Sequence, residues 1–126
     1  MRWTWLLLAC LTALAQTPAI LDLVRERAEA LANQEPSVFL EAFDPDMPGY
    51  AKLREEIEAL VAEDVASTVE VVRDEGDDRA RRFEMDWLIK IGRRQSRRAI
   101  LKCSVERRGK KWKITALEPV EFFRRE

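Results

Sequence analysis

The chain has 126 residues, 47% of them hydrophobic and 36% charged, with 22 Lys and Arg against 23 Asp and Glu. That length suits one domain, the apolar share is too high for a disordered chain, and the balanced charge gives no global pointer to nucleic acid. There is no His, which removes the usual neutral-pH acid or base, the Ser-His and Cys-His nucleophile pairs and zinc sites built on imidazole.

Met1-Arg2 is a short positive start, and Trp3 to Ala15 is interrupted only by Thr4, Cys10 and Thr12. The run ends Ala13-Leu14-Ala15, a small-x-small pattern, and turns polar at Gln16. This is the layout of a secretory signal peptide, and it is shorter than the roughly 20 residues that span a bilayer. Residues 1–15 are expected to be removed on export to a periplasmic or extracellular space, leaving 16–126 as one domain. An uncleaved membrane anchor is the main rival. A lipoprotein signal is a third reading, because Leu7-Leu8-Ala9-Cys10 is lipobox-like. Cleavage after Ala15 leaves one Cys, Cys103, which cannot form an internal disulfide.

Thr17-Pro18 reads as a helix start, a hydroxyl N-cap with proline at the first helical position. Ile20, Val24, Ala28 and Leu31 then recur at helical spacing to about Asn33, with Arg25, Glu26, Arg27 and Glu29 on the other faces. Pro36-Ser37 opens a short second helix with Val38, Phe39, Leu40 and Phe43 on its apolar side. Asp44-Pro45-Asp46 stops it. Tyr50, Leu53, Ile57, Leu60 and Val61 form the stripe of a third helix, ending near Glu63.

From Val65 the period changes to 2. Val65, Ser67, Val69 and Val71 alternate with Ala66, Thr68, Glu70 and Val72, and the acidic segment Asp74 to Asp78 reads as a turn. Phe83, Met85, Trp87, Ile89 and Ile91 define a second strand. Ala99, Leu101, Cys103 and Val105 define a third. In the fourth, Trp112, Ile114 and Ala116 are expected to face in, and Lys111, Lys113, Thr115 and Leu117 out. Short turns join these strands into an antiparallel meander with one apolar face, which the helices would cover. The expected class is α+β: three N-terminal helices on a curved four-stranded antiparallel sheet.

Charge is unevenly placed. Residues 16–64 carry 4 basic and 12 acidic side chains, net −8, and residues 65–126 carry 17 and 11, net +6. In a meander the second turn shares an end with the C-terminus. That end gathers Arg93, Arg94, Arg97, Arg98, Arg124 and Arg125, a candidate patch for an acidic partner or an anionic surface. It has no interleaved aromatics for stacking on single strands, and export argues against nucleic acid. The bland alternative is a solubilising turn and tail.

Phe39-Leu40-Glu41-Ala42-Phe43-Asp44 followed by Met47-Pro48-Gly49-Tyr50 resembles the helix-to-helix passage of nuclear transport factor 2-like proteins. So does Gly109-Lys110-Lys111-Trp112-Lys113-Ile114, a turn followed by a Trp that begins an inward-facing strand. The resemblance covers essentially all of 16–126, in short motifs, and is in kind to the small exported bacterial members, which often have no assigned activity. It implies a cystatin-like cone in which the sheet wraps the helices and leaves a pocket at the wide end. The same fold hosts isomerases, dehydratases, cyclases, accessory subunits and non-enzymatic binding modules, so it says little about function. No catalytic residue is carried over, because inward positions are almost all apolar and no His matches the dehydratase pattern.

With such a cone, Phe39, Phe43, Tyr50, Trp87, Cys103 and Trp112 are the candidates to line a pocket for a small apolar ligand. They equally suit a filled core. Tyr50 would place a phenol at the mouth, and Cys103 reads as an inert buried thiol. Asp44 and Asp46 flank a proline and read as turn residues. No cofactor or metal is expected. The functional expectation is a non-enzymatic exported domain binding a small apolar ligand or a protein partner. The alternative is a small isomerase- or lyase-type enzyme using Tyr50 with a carboxylate. A homodimer through the sheet is a further expectation that the charged outer face does not favour.

Overall fold

The computed structural model describes residues 18–93 and 95–126. The expected signal peptide, the Thr17 cap and Arg94 lie outside the described residues. Among the described residues three α-helices, α1 (Pro18–Ala32), α2 (Pro36–Leu40) and α3 (Tyr50–Leu60), precede four strands. These are β1 (Val65–Gly76), β2 (Ala80–Ile91), β3 (Gln95–Arg108) and β4 (Lys111–Glu118), and a short 3-10 helix, Val120–Phe123, follows them. The strands pair in sequence order, all antiparallel.

The periodicities explain the layers. In β2, side chains at every second position share one face, and Phe83, Met85, Trp87, Ile89 and Ile91 are all buried. Leu101, Cys103 and Val105 continue that face on β3. Helix α3 supplies Leu53, Ile57 and Leu60, and α1 supplies Ile20, Val24, Ala30 and Leu31. Burying each large apolar side chain stabilises the fold by about 1.5–3 kcal/mol, an upper estimate.

Several boundaries depart from the expected ones. Helix α2 ends at Leu40, before Phe43. Phe43 instead makes a parallel bridge to Ile114. There Asp44 N–H donates to Ile114 O at 2.9 Å, and Ile114 N–H donates to Ala42 O at 2.7 Å. The loop thus covers part of the outer edge of β4. Helix α3 stops at Leu60, short of Glu63, because the last turn tightens. Strand β1 runs on through the expected turn to Gly76, made possible by a register shift between Val71 and Arg73. A second shift opposite Ser104 and Val105 reverses the parity of β4, so that Leu117 is buried while Ala116 is only partly so. A one-residue bulge flips every later side chain to the other face, which strict alternation cannot foresee.

Gly76 closes β1 at φ 138°, and a Cβ there would lie 2.4 Å from the carbonyl oxygen of Ala80. Both the conformation and the backbone contact exclude a side chain. Gly76→Ala is expected to destabilise the domain by more than about 1 kcal/mol, read as a lower urea midpoint. An unchanged midpoint would show that this hairpin end is loose.

Candidate functional site

The interior of the cone is nearly filled. Phe39, Phe43, Trp87 and Cys103 do come together, lining a cavity of about 10 Å³ with Leu23, Arg27 and others. The 3-10 helix helps to fill the interior, with Phe122 and Phe123 buried. Phe123 meets Trp87 edge-to-face at 5.1 Å and Phe39 at 5.4 Å, and Phe39 stacks on Phe43 at 5.2 Å. The indole N–H of Trp87 is buried without a hydrogen-bond partner.

Cys103 is free and buried, and burial pushes its thiol well above the ordinary cysteine range. Because the thiolate is the reactive form, Cys103 is expected to stay unmodified by iodoacetamide at pH 8 in the folded chain and to react once urea unfolds it. Rapid native labelling would contradict the buried placement.

Tyr50 and Trp112 are placed elsewhere. Tyr50 begins α3, partly buried against the edge of the core, and is not among the residues lining the interior cavity. Trp112, also partly buried, lines a surface groove of about 440 Å³ between the first half of α1, the loop after α2 and the start of β4. The groove also holds Lys110, Lys111 and Lys113 on the strand side, with Asp22, Glu26 and Glu41 on the helix side. Leu23 and Arg27 line both the groove and the interior cavity. They form the wall between cone and solvent.

Arg27 is the functional candidate that sequence reasoning missed. It was expected on a polar face, yet it is buried, with 3% exposure. Its Nη1 donates to the carbonyl oxygen of Phe39 at 3.2 Å, its Nη2 lies 3.6 Å from Glu26 Oε2, and its Nε has no partner. Burial lowers its pKa from the ordinary arginine value, while Glu26 and Glu41 act in the opposite sense. The signal was present in the spacing: Arg27 stands three residues after Val24 and four before Leu31, on the buried stripe.

The five described arginines of the candidate patch at the other end do not all face one way. Arg98 faces outward and grips both oxygens of Asp86, at 2.9 and 2.7 Å. Arg97, on the opposite face, donates to the carbonyls of Arg124 and Glu126 and so fastens the C-terminal segment. Arg125 lies 4.0 Å from Glu63, and Arg124 turns back to the carbonyl of Glu121 at 3.0 Å. Arg93 is exposed and shares a surface groove with Arg125. Nearby, burial raises the pKa of Glu56.

Two aspartates are held by arginines. Asp44 accepts the Asp46 N–H at 2.8 Å and pairs with Arg108 at 2.6 Å. The Asp46 N–H and the Arg108 guanidinium hold its carboxyl below the usual range. It pins the β3–β4 hairpin to the loop after α2, a structural role. Asp74, expected in a turn, is carried by the β1 bulge opposite Phe83 on the inward face. Its Oδ1 accepts from Arg81 Nε at 2.8 Å, its Oδ2 is buried without a partner, and its side chain is 4% exposed. Among the described residues no group of three His, Cys, Asp or Glu is arranged to hold a metal.

No family model and no curated protein matches the chain. Solved structures do. A nuclear transport factor 2-like protein of unknown function from Shewanella oneidensis MR-1 superposes with a TM-score of 0.69 at 11% identity, covering 79% of this chain and 93% of its own. A domain of unknown function with a cystatin-like fold from Nostoc punctiforme gives 0.65 at 13% identity, covering 81% and 76%. A proposed aromatic ring hydroxylase from Novosphingobium aromaticivorans gives 0.58 at 18% identity, covering 81% and 89%. Identities this low speak for architecture alone. With three helices held against a four-stranded antiparallel meander, the chain has the nuclear transport factor 2-like, cystatin-like cone fold.

Proposed function

We propose that this chain is a non-enzymatic binding domain, exported after loss of residues 1–15, that takes a small ligand in a surface groove beside its cone. The observation that carries the reading is the division of space. The interior is reduced to about 10 Å³ of apolar cavity, while the groove on the far side of Leu23 and Arg27 offers about 440 Å³. Small-molecule sites typically occupy about 300–1,000 Å³. An enzyme of the isomerase or lyase type would need an acid or base facing an open cavity. Tyr50 lies outside the cavity lining, and Asp74, which faces inward, is committed to Arg81.

Expressed full length in an exporting host and examined by native mass spectrometry, the secreted chain is expected to begin at Gln16. It is expected to carry a small extra mass that denaturation removes. A chain bare under the gentlest conditions counts against the binding reading, and a retained Met1 counts against export by cleavage.

A further inference from the structure

We propose that the groove between α1 and β4 binds a small organic monoacid, its carboxylate on Arg27 and its apolar body against Trp112; this rests on the binding-domain reading above. Arg27 is the buried cation of the groove. A guanidinium offers its Nε and one Nη as a fork that matches the two oxygens of a carboxylate. Here that fork carries no hydrogen bond: Nε has no partner, and the neighbouring Nη2 reaches Glu26 only at 3.6 Å. Buried donors left unpaired are uncommon in folded proteins, and a buried guanidinium with one carbonyl hydrogen bond and one long ion pair, to Glu26, is incompletely compensated.

The rest of the groove selects the ligand class. Trp112 is partly buried among Leu23, Ala19 and Ala42, a surface suited to a flat or aliphatic body. Lys110 and Lys111 stand on the strand side with no ion pair among the described residues, so they add a positive rim. Asp22 is answered by Arg25 at 2.6 Å, and the helix side also carries Glu26, which reaches Arg27 only at 3.6 Å, and Glu41. Those two carboxylates would repel a second negative charge laid along the groove. The arrangement therefore favours one carboxylate on an apolar body over a polyanion such as a nucleic acid.

The test uses the ¹⁵N-labelled chain, titrated with 3-phenylpropionate and, in parallel, with its neutral amide, 3-phenylpropionamide. The carboxylate is expected to produce saturable shifts at the Trp112 indole and at the backbone of Ala42 and Lys111. The amide is expected to bind at least about tenfold more weakly, as loss of one charge-assisted pair implies. Lys111→Gln, at an exposed rim position, is expected to keep the folded spectrum and weaken the carboxylate alone. Arg27→Met is expected to abolish the preference for the acid. Equal binding of acid and amide overturns the proposal. So do shifts centred on Phe39, Trp87 and Phe123, or the absence of saturable shifts up to the solubility limit. If the extra mass persists in the native spectrum while the groove stays silent, this site is wrong and the binding reading stands.

Discussion

Phe123→Ala is expected to cost about 3–5 kcal/mol of folding stability, the range for removing a fully packed aromatic ring from a core. Phe123 is 1% exposed and touches Trp87, Phe39 and Phe122 through its ring. Domains of this size hold about 5–15 kcal/mol in total, so the variant should unfold at a much lower urea concentration with a similar slope. Arg125→Ala on the exposed tail is the control and should change little, since its partner Glu63 is 4.0 Å away and exposed. A Phe123→Ala loss below about 1 kcal/mol would mean that the C-terminal segment is not part of the core.

The second large effect is expected at Asp74. Removing one member of a buried ion pair strands the other charge, so Asp74→Ala should destabilise by about 3 kcal/mol, the lower end of the range for such breaks because Arg81 is partly exposed. Adding Arg81→Met should recover more than half of that loss, since an apolar pair of similar shape removes the stranded charge. A double-mutant cycle in urea reads the coupling directly. Additive losses would show that the two side chains act independently and that the pair is a surface contact.

These two positions also mark where sequence reasoning stops. The fold class follows from the text of β2 and β3, where five and then three inward apolar residues leave only one way to face a sheet. It follows equally from the stripe Leu53, Ile57 and Leu60 on α3. Asp74 is different: its facing depends on one extra residue between Val71 and Arg73. Such a bulge is set by how the strand bends over the helices, a tertiary constraint with no mark in the local pattern. Leu117 is misread for the same reason on β4. The interior candidates Phe39, Phe43, Trp87 and Cys103 are legible as one cluster because burial and periodicity agree. Whether that cluster encloses space depends on Phe122 and Phe123, which follow Pro119 as a short tail with no periodicity. Arg27 was legible in principle, since its spacing places it on the buried stripe, but a charged side chain is normally assigned to solvent. The arginine end was read by proximity along the strands, whereas the pleat sends Arg97 and Arg98 to opposite faces.

The C-terminal segment that fills the cone also fixes the order of events in biogenesis. Trp87 and Phe39 acquire their ring contacts with Phe123 only when the final described element is present. A ribosome delivers the helices and the first strands earlier, at several residues per second, but the core stays incomplete until residues 122 and 123 emerge. Until then Trp87 and Phe39 lack the ring that packs between them.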